Sequence, residues 1–158
     1  MAQMATRASS GETVASTAKT GSAATLASLT IPGRPEYVGA ARSFVAGALG
    51  GGSGADVAVL LVSETVTNAV VHSDSRHPGG TVTITVVGMD GGVRIDVADN
   101  GSALTIPVVK GDGCVTGGHG LFLVQSLADQ WGYVRDDTGT TVWFWIPERP
   151  QLPAAGAA

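Results

Sequence analysis

A carboxylate, an amide and an imidazole follow one another at helical spacing in an otherwise apolar stretch. Glu64, Asn68 and His72 stand four residues apart within SETVTNAVVH, so on a helix they share one side. A glutamate in such surroundings costs free energy unless it has a partner. The row is therefore either a polar edge that reaches solvent or one wall of a polar pocket. In a pocket, the amide oxygen of Asn68 could bind a hard cation such as Mg²⁺. The carboxylate of Glu64 could orient or deprotonate a hydroxyl.

A second carboxylate stands at the end of an alternating segment. Asp99 has the same parity as the valines and the isoleucine of residues 93–97, so it points to the same face if the strand continues that far. Asn100 and Gly101 follow at once and indicate a turn. Asp99 could cap that turn. In an apolar pocket it could instead accept a hydrogen bond from an exocyclic amino group.

A dense group of glycines comes directly before a predicted helix. Such an approach to a helix N-terminus binds anions through backbone N–H groups and the helix dipole, but mobile loops are rich in glycine too. The pattern is not a P-loop, because no Gly-Lys-Ser or Gly-Lys-Thr occurs. No Gly-x-Gly-x-x-Gly follows a strand, so a dinucleotide-binding fold is unsupported. The glycines are Gly111, Gly113, Gly117, Gly118 and Gly120.

The elements that must position these groups follow from hydrophobic periodicity. The order is strand, helix, helix, two strands, loop, helix, two strands. Antiparallel hairpins with helices on one face predict an α+β fold, an α/β sandwich with a mixed, mostly antiparallel sheet. The second helix is nearly apolar, and we expect it to be buried on most sides. The predicted bounds are strand 26–31, helices 35–49 and 55–71, strands 81–87 and 93–98, loop 100–118, helix 119–129, and strands 131–135 and 140–146.

Composition limits the class of protein. The chain has 158 residues, about one domain by length, and 44% of them are hydrophobic, which is too many for wholesale disorder. A net charge of −4 without a basic face argues against nucleic-acid binding. The single cysteine, Cys114, excludes an internal disulfide and a thiolate metal cluster. No apolar run approaches the roughly 20 residues that span a bilayer, and no secretory signal is visible. We therefore expect a cytoplasmic protein with no membrane partner.

The same patterns divide the chain into three parts. Residues 1–24 are Ala, Ser, Thr and Gly without periodicity and are predicted to be a flexible N-terminal arm. Residues 25–147 form the predicted compact domain. Residues 148–158 are predicted to be a flexible C-terminal tail.

The three clusters together resemble a known family. Glu64-x-x-x-Asn68 on a helix, Asp99-x-Gly101 after a strand, and Gly118-x-Gly120-Leu121 at the start of a helix occur in this order. They resemble the N, G1 and G2 boxes of the GHKL ATPase superfamily, whose ATP-binding fold is the Bergerat type. The stretch SETVTNAVVH and the ending GHGLFLVQSLADQWG…TTVWFWIP are most similar to the small bacterial anti-sigma-factor serine kinases. The resemblance covers about residues 25–147.

The resemblance implies a role for each matched residue. Asn68 would hold Mg²⁺ against the phosphates of ATP, and Glu64 would be the general base towards the attacking hydroxyl. Asp99 would accept a hydrogen bond from the adenine amino group, and Gly101 would let the ring approach closely. Residues 100–117 would be the ATP lid. The further nucleotide-binding residues would be Gly118, Gly120, Leu121 and, beside the adenine, Thr141.

Two histidines and one departure from the motif leave alternatives open. His72 either lines the phosphate side or is a solvated residue at a helix end. His119, between the two glycines, is either incidental or adjacent to the phosphates. The G1 box of this family often carries a second glycine, at the position that is Ala103 here. A methyl group there could narrow the hinge of the lid or weaken nucleotide binding.

The resemblance implies a Mg-ATP-dependent serine kinase and anti-sigma factor. Such a protein phosphorylates a serine on a small antagonist, the anti-anti-sigma protein, and sequesters a sigma factor in another partner state. A second hypothesis is a non-catalytic module that senses ATP through its lid. A detached histidine-kinase domain is a third, which lacks support because no helical pair with a phosphoacceptor histidine is visible. The sequence leaves open whether the domain forms a homodimer.

Overall fold

The computed structural model describes residues 3–8, 22–51, 53–101 and 126–148. Six strands and two long helices lie in these ranges, with short 3₁₀ turns at Pro35–Tyr37 and Asp74–Arg76. The helices are α1 (Val38–Leu49) and α2 (Ser53–His72). The strands are β1 (Gln3–Ala8), β2 (Ala24–Pro32), β3 (Thr81–Met89), β4 (Gly92–Asp99), β5 (Gln130–Arg135) and β6 (Thr140–Pro147).

The six strands form one sheet in the order β1-β5-β6-β4-β3-β2. Every pairing between these described strands is antiparallel, in line with the mixed, mostly antiparallel sheet that the sequence predicted. The two predicted hairpins, β3–β4 and β5–β6, are both present. The α+β fold expected from the sequence is therefore confirmed, with an antiparallel sheet.

One face of the sheet packs against the helices. Ile95 of β4 lies opposite Phe144 of β6, and Ile84 of the adjacent β3 lies opposite Val97, two residues further along β4. Ile84, Ile95 and Phe144 are all fully buried. Val45 of α1 and Val62 of α2 belong to the same core. Because side chains alternate along a strand, residues of the opposite parity form a second face, which carries the paired hydroxyl groups of Thr30 and Thr83 at 2.9 Å and similar polar neighbours.

Helix α2 buries one broad stripe instead of most of its surface. Leu61, Val62 and Val66 are fully buried, whereas Leu60 is 40% exposed and Val71 is 44% exposed. The segment 54–72 is long enough and, at a mean hydropathy of 1.4, apolar enough to meet the criterion for a membrane span, although the sequence analysis had found no such run. Its buried stripe lies in the core against the sheet, which accounts for that apolar character.

Residues 3–8 lie in the segment that the sequence predicted to be a flexible arm. This part forms strand β1, which pairs with β5 from Gln3 opposite Arg135 to Ala8 opposite Gln130. The expectation of an unstructured arm is wrong for this strand. The physical reason is that an edge strand is held by backbone hydrogen bonds to its neighbour, which require no periodic side-chain pattern. The other predicted boundaries, near residues 24 and 147, remain predictions.

Two predicted features lie mostly outside the described residues. The loop 100–118 is described only at Asn100 and Gly101, and the helix 119–129 only from Ser126 onward. The first helix starts later than predicted: Pro35–Tyr37 form a 3₁₀ turn and α1 begins at Val38. A proline at the first position of such a turn has no backbone N–H to leave unsatisfied.

Candidate functional site

Asp99 ends strand β4 on the face that packs against the helices. Its neighbours of the same parity, Ile95 and Val97, are buried in the core. Its carboxylate Oδ1 accepts a hydrogen bond from the backbone N–H of Gly101 at 2.6 Å. The sequence left two interpretations open, a turn cap and a pocket acceptor. The carboxylate does cap the turn, and its inward parity also directs it to the apolar side of the sheet.

Two glycines allow the backbone to close around this turn. Gly101 has a φ of +71°, a conformation that side chains disfavour, and a Cβ there would lie 3.1 Å from the Cα of Gly139. A Cβ on Gly139 would overlap with the carbonyl oxygen of Asp99. The turn after β4 and the turn before β6 therefore touch backbone to backbone. The sequence singled out Gly101 but not Gly139.

Strand β6 brings Thr140, and not Thr141, beside Asp99. The register places Asp99 opposite Thr140 and Ala98 opposite Thr141, and directly opposed residues share a face of the sheet. Thr140 is 4% exposed on the helix-facing side. Thr141 is on the other side of the sheet from Asp99. Thr140, and not the predicted Thr141, therefore shares the face of Asp99, because period-two alternation exchanges the two faces with each step.

Burial raises the pKa of the Asp99 carboxyl above its ordinary value. Hydrogen bonds from the backbone N–H groups of Gly101 and Thr140 and the positive charge of Arg135 oppose this rise, and the charge of Asp74 adds to it. Arg135 lies opposite Thr140 on β5, in the same cross-strand row as Asp99. The sequence alone does not reveal this row, because the row exists only once three strands pair.

The polar row on α2 flanks the buried stripe of the helix. Glu64 and Asn68 are half-buried, while His72, the last residue of α2, is exposed. The buried positions beside them include Thr65 and Ala69. The first two residues of the predicted row therefore lie at the boundary between core and solvent, where a ligand can reach them, and His72 lies beyond that boundary.

A short connection brings the end of α2 to the turn after Asp99. The backbone N–H of Asp74 donates a hydrogen bond to the carbonyl oxygen of Gly101 at 2.6 Å. Asn68 is four residues before the end of α2, about 6 Å along the helix axis. The half of α2 that carries Glu64 and Asn68 thus ends near the same strand ends as Asp99. The structure brings the first two predicted boxes to one end of the fold.

The third predicted box is outside the described residues. Gly118, His119, Gly120 and Leu121 all fall in the range 102–125, as does Ala103. Their assignment as nucleotide-binding residues remains a prediction from the sequence.

The donor set suits a magnesium ion that travels with phosphates. Among the described residues, no group of three or more His, Cys, Asp or Glu side chains could hold a metal by itself. Mg²⁺ commonly keeps its waters and binds through one or two protein oxygens together with substrate phosphates. A single half-buried amide at Asn68, with Glu64 one turn away, fits that mode of binding.

Helices on one face of an antiparallel sheet, with an inward aspartate at a strand end and a Glu-x-x-x-Asn helix, define a class of ATP-binding domain. A family model described as "Histidine kinase-like ATPase domain" matches residues 31–146. The chain belongs to this family, and the resemblance seen in the sequence is confirmed.

Its curated relatives include bacterial protein kinases. The chain is 33% identical over 126 residues to the serine-protein kinase RsbW of Bacillus licheniformis, which covers 70% of this chain and 78% of the relative. It is 32% identical over 114 residues to the serine-protein kinase RsbW of Oceanobacillus iheyensis, with 63% and 72% covered. The protein of the same name from Listeria monocytogenes is 28% identical over 116 residues, with 64% and 74% covered.

Proposed function

We propose that this protein is a cytoplasmic, Mg-ATP-dependent serine kinase that also acts as an anti-sigma factor. The observation that carries the proposal is the inward carboxylate of Asp99, bonded to Gly101 and opposite Thr140, in a member of the histidine-kinase-like ATPase family. The likeness to relatives named as serine-protein kinases supports a serine hydroxyl as the acceptor. The sequestered partner is a sigma factor, and the phosphorylated partner is its anti-anti-sigma antagonist.

One group of residues binds the adenine of ATP, and another binds its phosphates. Asp99 accepts a hydrogen bond from the adenine amino group, and Gly101 leaves room for the ring. Asn68 would hold Mg²⁺, which supplies positive charge against the phosphates when it is bound. The glycines at 118 and 120 donate backbone N–H groups to the phosphates, as their sequence pattern predicts.

Glu64 acts on the acceptor serine of the antagonist. The serine oxygen forms a bond to the γ-phosphorus while the bond from that phosphorus to the leaving oxygen of ADP breaks. The hydroxyl proton passes to the carboxylate of Glu64. Phosphoryl transfer depends mostly on positioning and charge neutralisation, so this small set of residues is sufficient.

Nucleotide binding is the first test of the proposal. At about 100 times its Kd, Mg-ATP is expected to raise the free energy of unfolding by roughly 2.7 kcal/mol, measured as a thermal shift. The variant Asp99→Asn is expected to lose most of this shift. Asp96→Asn, on the same strand but of the opposite parity, is the matched control and is expected to keep it. An absence of any shift at millimolar Mg-ATP in the unmodified protein contradicts the assignment.

Transfer of phosphate is the second test. With labelled Mg-ATP and candidate antagonists, Glu64→Gln is expected to slow transfer by about 100-fold or more, typical of a lost general base, while ATP still binds. Asp56→Asn, an exposed position on the same helix, is the control. Unchanged transfer in Glu64→Gln would show that another group takes the proton. ATP binding without transfer to any antagonist favours the non-catalytic, ATP-sensing module.

A further inference from the structure

The loop between α2 and β3, residues 73–80, packs against the turn that carries Asp99. We call it the α2–β3 loop. Its serines, proline and glycines are ordinary turn residues, so the sequence of the loop indicates no role in the site. In the structure, Ser75 in the middle of this loop is 1% exposed, although the residues on both sides of it are exposed.

A closed ring of hydrogen bonds joins Ser75 of the α2–β3 loop, Thr81 at the start of β3 and Asn100 directly after β4. The Ser75 hydroxyl donates to the carbonyl oxygen of Thr81 at 2.8 Å and accepts from the backbone N–H of Asn100 at 2.8 Å. The side-chain oxygen of Asn100 accepts from the backbone N–H of Thr81 at 2.8 Å. One hydroxyl therefore joins the start of β3 to the residue directly after Asp99.

The loop itself has little freedom to move. Its first residue, Ser73, donates its hydroxyl hydrogen to the carbonyl oxygen of Ala69 in α2 at 2.7 Å and accepts from the backbone N–H of Ser75 at 3.1 Å. A Cβ on Gly33 or on Gly80 would overlap with the carbonyl oxygen of Ser75. Close backbone approach on two sides, together with the bond to α2, holds the Ser75 hydroxyl in place.

We infer that Ser75 is a positioning residue for the adenine end of the nucleotide site, acting through Asn100 on the carboxylate of Asp99. The inference rests on the proposed function, because it assumes that Asp99 binds the base. The turn is held on both sides: Ser75 binds the N–H of Asn100, and Asp74 binds the carbonyl of Gly101. A small displacement of this turn moves the group that binds the base without moving the groups on α2 that serve the phosphates.

The experiment compares the binding of Mg-ATP and Mg-GTP by calorimetry. Guanine has a carbonyl where adenine has its amino group, so a well-placed carboxylate favours ATP. Ser75→Ala removes the hydroxyl group and with it both of these hydrogen bonds, to Thr81 and from Asn100, and is expected to lower the ATP-over-GTP preference about threefold to tenfold. In the Asp99→Asn background, Ser75→Ala is expected to change the preference no further, because the group on which Ser75 acts is already gone.

The control is a core variant that destabilises the fold away from the site. Val45→Ala removes fully buried volume from α1 and is expected to lower Tm without changing the ATP-over-GTP preference. If Ser75→Ala does not fold, Asn100→Ala, at an exposed residue, opens the same ring by removing the side-chain oxygen that accepts from Thr81, and the same results are expected of it.

Each outcome bears on the inference. An unchanged preference in Ser75→Ala, an equal loss in Val45→Ala, or a further loss in the Asp99→Asn background overturns the positioning role while the proposed ATP binding stands. If the unmodified protein binds neither nucleotide, the proposed function fails, and the positioning role fails with it.

Discussion

Opposing effects act on the pKa of the Asp99 carboxyl. Burial disfavours its ionised form, while two backbone N–H groups and the charge of Arg135 favour it. The net result is a raised pKa, so the folded chain holds a proton on Asp99 more tightly than the unfolded chain does. The ionised carboxylate at neutral pH therefore costs stability, and this cost decreases as the pH falls through the raised pKa. A group that is costly when unliganded becomes an effective acceptor once a donor arrives.

The raised pKa predicts a pH-dependent preference for adenine. The ATP-over-GTP preference is expected to fall as the pH is lowered from 7 through the raised pKa of Asp99, because the protonated carboxyl loses acceptor capacity. ATP and GTP carry the same triphosphate group, whose titration cancels in the ratio of their dissociation constants. The ratio therefore reports on recognition of the base. In Asp99→Asn this ratio is expected to be independent of pH. A ratio that stays constant in the unmodified protein would contradict the role of Asp99.

Two glycines with similar dihedral angles give a matched pair for the turn after Asp99. Gly101 and Gly91 have φ values of +71° and +79°, but a Cβ at Gly91 meets nothing within 4 Å. Gly91→Ala is therefore expected to lose only the conformational cost, roughly 1–2 kcal/mol, in urea denaturation, and to bind ATP normally. Gly101→Ala is expected to lose more stability and most of its ATP affinity. Equal effects of the two variants on ATP binding would rule out close packing at Gly101 as the reason.

At the scale of elements, strand pairing decides which side chains can meet a ligand. β6 lies between β4 and β5. Its residue Thr140 therefore lies in one cross-strand row with Asp99 and Arg135, and the next residue of β6 points to the other face of the sheet. Helix α2 carries Glu64 and Asn68, the other part of the candidate site. Its connection to β3 is short and is hydrogen-bonded to the turn after Asp99. The site therefore depends on register as much as on residue type.

The register of β6 predicts opposite results for two adjacent threonines. Thr140→Val and Thr141→Val each remove one hydroxyl group at nearly constant volume. Because only Thr140 shares the face of Asp99, Thr140→Val is expected to weaken ATP binding about threefold to tenfold, and Thr141→Val is expected to leave it unchanged. Titration calorimetry of both variants measures this. A loss in Thr141→Val alone would mean that the register is shifted by one residue.

At the scale of the whole molecule, the sheet has β1 at one edge and β2 at the other. β1 covers the outer edge of β5, which would otherwise present unpaired backbone groups to other chains. The candidate site is built from α2, β4 and β6 with their connecting turns and from Arg135 of β5, which lies opposite Gln3 of β1. Strand β1 therefore borders the candidate site only through its pairing with β5.

Removal of residues 1–8 tests this arrangement. The truncated protein is expected to have a lower Tm and a greater tendency to self-associate through the exposed edge of β5, measured by thermal denaturation and size-exclusion chromatography. Its Kd for Mg-ATP is expected to stay within about twofold of that of the full chain, since β1 borders the candidate site only through the pairing of Gln3 with Arg135. A large loss of ATP affinity would show that β1 supports the site.

The sequence by itself determined the two long helices, the strands β2 to β6, and the candidates for the first two boxes of the site. Alternation in β3 and β4 and the apolar periodicity of α2 are local signals, and they identified Glu64, Asn68, Asp99 and Gly101 as candidates. The class of fold and the family followed from the order of these motifs. These features were accessible because each depends on residues that are near one another in the chain.

Only the tertiary structure decided which residues surround Asp99. Thr140 and Arg135 join it through cross-strand register, and Ser75 joins it through a ring that spans 25 residues of sequence. Strand β1 was missed for the same reason, because backbone pairing leaves no periodic signal in the side chains. Contacts between distant segments depend on register and close approach, and a one-residue difference in register exchanges the two faces of the sheet.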